Sequence, residues 1–458
     1  MSSASALSIA SDSHDPLAVR LARQVSAVSL EHLPPEVVAK TRVCLMDLIG
    51  CAFESRGLPW SVQAMAAVDA HAGEATVIGS PRRAGVGEAA FVNAVMGHGL
   101  VREDMHAGSI SHLGIVVLPT LLALAQTRRV SGRDFIAAVA AGYEVGGRVG
   151  RAVMDAQVAR IHRPTGVTGP TAAASAGARL LGLDPAATAS ALGIAANTVL
   201  GFNQWAHTGG SEMFFQPGFV ARNAVTAVRL AQAGAFASPS ALDGEAGMFA
   251  SFGKRAGASE VELFRGTPEL LDVYHKPVPA CNFAQTPSQA ALEVVRGARL
   301  PVERIAAIRI RVPRAGKLYP GCDHPGPFAT VLQGKMSIQF NVAAALLTGT
   351  VAERNFELLD DPRVQRLIGM SVLEVDDAMT VAYPGRQGGE VEVVDIDGNV
   401  HRARLPDVVN ASDDQVRARF REAVAAALGS ARAAQIEQAI LELDRSEDAG
   451  AMVALLGA

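Results

Sequence analysis

Apolar residues recur every three or four positions through most of the first half of the chain, the spacing that gathers them on one face of an α-helix. The pattern is clearest in PPEVVAKTRVCLMDLIGCAF (34–53), SGRDFIAAVAAGYEVGGRV (131–149) and QPGFVARNAVTAVRLAQAGAF (216–236). Proline or serine opens several of these runs and glycine closes several, the usual punctuation of helices. Small residues crowd PTAAASAGARLLGLDPAATASALGIAANTVLG (170–201), a composition that lets helix axes approach closely. No fixed period runs through the chain, so a solenoid is not expected.

After KPVPACNFAQTP (276–287) the texture changes. RIAAIRIRVP (304–313) has the β-branched, alternating look of a strand, and GGEVEVVDIDGNVHRARL (388–405) alternates around Asp397-Gly398, a hairpin signal. GKMSIQFNVAAALLTG (334–349) is helical again, and Ser412 with Gln415 forms a capping-box pattern at the start of a last helical stretch. The expected fold is mainly α with an α+β insertion. Residues 1–269 form the first part of a helical domain, 270–406 a smaller α+β lid, and 407–458 the C-terminal part of the helical domain. A cleft between the two is the default ligand site.

Charge narrows the function. A net charge of −4 with mixed signs leaves no basic footprint for nucleic acid and no basic amphipathic helix for a membrane surface. No apolar run approaches the roughly 20 residues a bilayer span needs. MSSASALSIASDSHD (1–15) lacks a basic stretch followed by an apolar one, so a cytoplasmic protein with a frayed N-terminus is expected. Cys44, Cys51, Cys281 and Cys322 are too scattered for a disulfide framework or a CxxC zinc site. Cys44 and Cys51 fall on one face of a helix, as small core residues.

The chemistry concentrates in GHGLVREDMHAGSISHLGIVVLPTLLALAQ (97–126), where three histidines share a glycine-containing loop with Arg102, Glu103 and Asp104, just ahead of an apolar helix. His98, His106 and His112 are spaced too irregularly for a helical zinc pair and have no cysteine nearby, so no metal is expected. Histidine is the ordinary proton carrier near neutral pH, and its charged neighbours would tune it or bind a carboxylate; a solvated charged loop is the plain alternative. In ARIHRPTGVTGP (159–170), His162 and Arg163 precede Pro164 and a helix start that suits an anion, with a surface role for Arg163 equally open. HTGGSEMFFQPG (207–218) reads as a flexible loop opening onto a helix at Pro217, and its glycines match no nucleotide fingerprint. Lys276, between His275 and Pro277 at the domain junction, would bind a carboxylate or act as a base if desolvated; spacing alone also allows a solvated hinge lysine.

Taken in order, HLGIVVLPTLLALAQ, RPTGVTGPTAAASAGARLLGL, QPGFVARNAVTAVRLAQAG, YHKPVPACNFAQTP, GKMSIQFNVAAALLTG and GEVEVVDIDGNV resemble the MmgE/PrpD family nearly end to end. That family includes 2-methylcitrate dehydratase, cis-aconitate decarboxylase and iminodisuccinate epimerase. The resemblance implies a helical domain with an inserted lid, a homodimer, no organic cofactor, and a small di- to tetracarboxylate substrate that gains or loses a proton beside a carboxylate. Carried onto this chain, it makes Lys276 and His112 the leading proton carriers, with His106 and His162 in reserve. Tyr319 falls near a tyrosine used in the family's lid, and with Arg102, Arg163, Asp104 and Gln216 it makes up the expected substrate-binding set.

The departures bear on the reaction. Dehydrating and decarboxylating members carry an LDxDDTH stretch where this chain has LVREDMH, so Val101 and Met105 replace an acid and a threonine. Arg163 stands where they have a histidine, with His162 a substitute after a one-residue shift; Met213 and Gln216 replace a lysine and a histidine. Epimerisation needs no acid for a leaving group, and two arginines suit a substrate with several carboxylates. The expectation is therefore an iminodisuccinate-type epimerase, with a 2-methylcitrate-type dehydratase as the alternative.

Overall fold

The computed structural model describes residues 15–68, 73–298 and 300–458. The expected frayed N-terminus, residues 1–14, lies outside the described residues. Among them, no helix is long and apolar enough to cross a membrane.

The helical body is built where the apolar period demanded it. Helices α1 (Pro35–Ser55), α2 (Val86–His98), α3 (Gly114–Leu124), α4 (Gly132–Val153), α5 (Pro164–Leu180) and α6 (Glu212–Gln232) form one packed mass. Every residue of α3 is buried, as expected of a helix that is apolar all round. The small residues act where α4 lies along α5: a Cβ added at Gly142 would stand 2.8 Å from the Ala176 Cβ, and one at Gly146 2.8 Å from the Ala172 Cβ. Larger residues there would force the axes apart. Cys44 and Cys51 are buried in α1.

Helix α6 begins at Glu212, earlier than Pro217, where the sequence suggested that a loop ends. Proline removes one backbone N–H link and is unfavourable inside a helix. Packing outweighs it here, because Met213 and Phe214 are buried and the Phe214 ring stacks on Trp60 with centroids 3.7 Å apart.

The strands gather in the second half. Strands β1 (Met105–His106) and β2 (Val273–Tyr274) form a short antiparallel pair that ties the histidine loop to the domain junction. A four-stranded sheet has the order β4-β3-β5-β6, from β3 (Ile305–Val312), β4 (Ser371–Val375), β5 (Gly389–Asp395) and β6 (Val400–Leu405). β3 runs parallel to β4, and the β5–β6 hairpin turns through Gly398 at φ +85°. Ile308, Ile310 and Val312 point inward, while Arg309 and Arg311 pair with Glu392 and Glu390 on the other face. Helices α7 (Gln285–Ala298) and α8 (Ile338–Thr348) pack against each other, with α7 also on β5 and β6. The chain then returns to the helical body as α9 (Asp413–Leu428), whose Ser412/Gln415 capping box is formed and which packs on α1.

Candidate active site

The loop after α2 is held by two buried lysines. Lys335 donates to the Leu100 carbonyl at 3.1 Å, and Lys276 donates to the next carbonyl, Val101, at 2.5 Å. Both lysines have no exposed surface. Val101 has φ +57°, a left-handed conformation unfavourable for a β-branched residue, so its surroundings must enforce it. Lys335 also donates to the Pro279 carbonyl at 3.1 Å, pairs with Glu353 at 2.6 Å and lies 4.3 Å over the Phe356 ring. Burial pulls the Lys276 ammonium down to about 8, opposed by the charge of Glu103.

This turn delivers Glu103 to the centre of a relay. One carboxylate oxygen, Oε1, lies 2.5 Å from His98 Nδ1 and 2.8 Å from His112 Nδ1. His98 Nε2 faces an Arg163 guanidinium nitrogen at 2.9 Å and the Met213 sulfur at 2.9 Å. A guanidinium only donates, so His98 Nε2 accepts and its proton is assigned to Nδ1, pointing at Glu103. His112 Nδ1 faces two acceptors, Glu103 and the Asp104 carbonyl at 3.1 Å, so it too carries the proton. His112 Nε2 makes no hydrogen bond among the described residues and is left as a base. Burial pushes His112 down to about 3, against the opposing pull of Glu103, and burial likewise lowers His98. Burial raises the Glu103 carboxyl, but the two histidines hold it well below the usual carboxylate range.

His98, Glu103 and His112 bring their ligand-type atoms within 4.8 Å of one another. Their 2.5 and 2.8 Å separations are those of hydrogen bonds. Nitrogen and oxygen ligands about 2.0–2.2 Å from a tetrahedral metal stand farther apart than that. The trio fits a proton relay and does not fit a metal as arranged.

His112 opens onto an inner cavity of about 30 Å³ shared with Arg163, Tyr319, Cys281, Met213 and Val101. Arg163 caps the N-terminus of α5; its guanidinium lies 5.4 Å over Trp205, and its buried Nε has no partner among the described residues. The Tyr319 hydroxyl accepts from Asn203 Nδ2 at 3.4 Å, and burial pushes its phenol up to about 12. The Cys281 and Cys322 sulfurs are 3.5 Å apart. The hydrogen bond from Cys322 pulls the Cys281 thiol down to about 7, against burial.

Of the residues named from sequence, the structure brings His112, Arg163 and Tyr319 to this cavity and sends the others elsewhere. Arg102 turns away and forms a two-pronged pair with Glu54 of α1, at 3.2 and 2.5 Å. Asp104 accepts from the Tyr143 hydroxyl at 2.5 Å and from the Gly114 N–H at 3.2 Å, which anchors the loop to α3 and α4; burial raises its carboxyl to about 6. His106 sits between Ser109, 2.8 Å away, and Glu269, 2.7 Å away, in a buried network with Arg148 and Arg151. His162 packs edge-on against Phe252 with centroids 5.2 Å apart, so the one-residue shift does not bring it to the cavity. Gln216 donates to the Phe202 carbonyl at 3.3 Å. Lys276 lies behind the cavity wall that Val101 forms. Sequence reasoning placed His98 among the loop histidines and Glu103 among the charged neighbours that tune them without singling either out, because spacing does not tell which loop side chains face each other, and it gave no site role to Cys281 or Lys335.

The fold thus buries a histidine–carboxylate–histidine group beside one arginine at the edge of a cavity. The chain belongs to the MmgE/PrpD family: the family's N-terminal domain matches residues 19–260 and its C-terminal domain residues 278–445. It is similar to a cis-aconitate decarboxylase-like protein, oryM, of Aspergillus oryzae, with 28% identity over 95% of this chain and 96% of that protein. It is also similar to a cis-aconitate decarboxylase of Aspergillus terreus, with 24% identity over 94% of each chain.

Proposed function

We propose that the protein is a lyase-type acid/base enzyme that moves a proton at a carbon next to a carboxylate, with Arg163 gripping the carboxylate and His112 handling the proton. The observation that carries this reading is the bridging of both histidines by Glu103 Oε1, which leaves His112 Nε2 as a base on the cavity that Arg163 shares. Removing the proton creates enolate-like charge that the guanidinium stabilises. Glu103 then steadies the imidazolium, as the orienting carboxylate does in a hydrolytic triad. If the adjacent carbon bears a hydroxyl, it departs with a proton as water and leaves an alkene. Tyr319 holds its proton at neutral pH and supplies the acid. In a decarboxylation, the reaction type in the name of the Aspergillus terreus relative, carbon dioxide leaves its bonding electrons to form enolate-like charge beside a remaining carboxylate, and the same pair protonates that carbon.

A second reading, epimerisation of an iminodisuccinate-type acid, is favoured by one observation. Val101, Met105 and Met213 line the cavity and bring no acid of their own, so protonation of a leaving group falls to Tyr319, whose phenol burial holds at about 12. Its other support weakens, because of the two arginines expected to grip several carboxylates only Arg163 lines the cavity.

Proton NMR in deuterated water, with citrate, 2-methylcitrate, cis-aconitate and the stereoisomers of iminodisuccinate, separates the two. A vinylic signal from a hydroxy acid, or decarboxylation with one deuterium taken up into the product, supports the lyase. Deuterium at the α-carbon with interconversion of diastereomers replaces it with the epimerase. No exchange and no product from any of these acids removes both.

A further inference from the structure

Beyond the inner cavity lies a much larger one that proton transfer does not use. Its volume is about 530 Å³, against about 30 Å³ inside, and Ile110, Phe283 and Tyr319 line both. The outer space therefore adjoins the inner one, with these three residues between them. Its lining is mostly carbon: Ala156, Ala159, Ala315 and Leu318 join the shared residues and Tyr383. Leu318 is 56% exposed there, an apolar side chain left in water. Arg160 and Arg314 also line it; Arg160 makes no ion pair among the described residues, and Arg314 stands 3.8 Å from the highly exposed Asp377.

These features conflict with a compact, fully charged substrate. Carboxylates placed against Phe283, Leu318 and the alanines would lose water without gaining donors, which is unfavourable. Pockets built for ligands are mostly apolar with a few polar groups that fix orientation, and the two cavities together have that plan.

We propose that the outer cavity seats an apolar chain carried by the carboxylate substrate, so that the preferred substrate is amphipathic. Its carboxylate end lies on Arg163 and its chain of several carbons crosses Phe283 and Tyr319 toward Leu318. This rests on the assignment of Arg163 as the carboxylate grip. Each methylene buried is worth about 0.8 kcal/mol, which tightens binding about fourfold.

Isothermal titration calorimetry of the full chain with succinate, butylsuccinate, hexylsuccinate and octylsuccinate tests it, with L318D as the variant. Leu318 is largely exposed, so the variant keeps the fold. The expected result is one site whose Kd falls about fourfold per methylene until the chain fills the space. In L318D the ratio of octylsuccinate to succinate affinity shrinks at least tenfold. Succinate binding with no dependence on chain length overturns the substrate class and leaves the Arg163 assignment standing. A steep chain-length dependence that L318D does not change also overturns it, since the chain then binds elsewhere. No binding of any member, succinate included, overturns this inference and the carboxylate grip together.

Discussion

The Lys276 ammonium donates to the carbonyl of Val101 at 2.5 Å, and Val101 is the residue that turns the chain through a left-handed conformation, φ +57°, two positions before Glu103. Lys276 thus fixes the turn that aims the central carboxylate. Replacing it by methionine leaves the Val101 carbonyl buried without a partner, a cost of about 1–3 kcal/mol. The K276M variant is expected to unfold at lower urea concentration and to lose activity with stability. Unchanged stability with lost activity would instead make Lys276 a proton carrier.

Glu103 holds two imidazoles through one oxygen; a glutamine carbonyl can accept from both in its place but lacks the negative charge that steadies an imidazolium. E103Q is expected to lower kcat by about 10⁴-fold with little change in KM, comparable to the loss when a triad's orienting carboxylate becomes an amide. Steady-state kinetics on whichever acid the NMR panel identifies checks this.

In the proposed function Arg163 supplies the charged contact to the carboxylate. Losing a hydrogen bond to a charged group costs about 1.5–3 kcal/mol. R163M is expected to weaken succinate binding roughly ten- to a hundredfold by calorimetry, and equal affinity in the variant would move the carboxylate elsewhere.

Two buried groups give opposite dependence of stability on pH. His112 is lowered from 6.5 to about 3, so the unfolded chain binds more protons between these values; its contribution is full above about 6.5 and is lost as pH falls toward 3. Asp104 is raised from 3.8 to about 6, so its contribution is full below 3.8 and is lost as pH rises through 6. Between pH 4 and 6 the two oppose each other. Relative to wild type, H112N should rise less in stability across this window and D104N should rise more, as read by urea unfolding at each pH.

The cysteines differ in reactivity. Cys281 lines the inner cavity and its thiol is pulled down to about 7, whereas burial pushes those of Cys44, Cys51 and Cys322 up. Thiolate reacts, thiol does not. Methyl methanethiosulfonate followed by peptide mass spectrometry should label Cys281 first, and the bound acid should slow that labelling. First labelling at Cys44 would contradict this.

Much of the fold was legible in the sequence because periodicity is a local property. The spacing in 34–53 foretold α1, the alternation in 304–313 foretold β3, and Asp397-Gly398 foretold its hairpin. The site was legible only in part. His112 and Arg163 stood beside strong signals, the apolar helix and the Pro164 helix start. Arg102 and Asp104 stood in the same loop, yet they turn outward to Glu54 and inward to Tyr143, partners supplied by distant helices. The contacts that set the His98 tautomer come from Arg163 and Met213, 65 and 115 positions away, and no local spacing encodes that.

The return of the chain as α9 bears on when the catalytic loop is fixed. Arg419, on that helix, donates to the Lys276 carbonyl at 2.9 Å and to Asp47 at 2.7 Å, and Asp47 in turn holds His275 at 2.7 Å. The segment that carries the loop-fixing lysine is therefore clamped between one of the earliest helices and one of the last. Asp47 of α1 is synthesised 372 residues ahead of Arg419, so this segment is fixed only after a contact that spans most of the chain has closed.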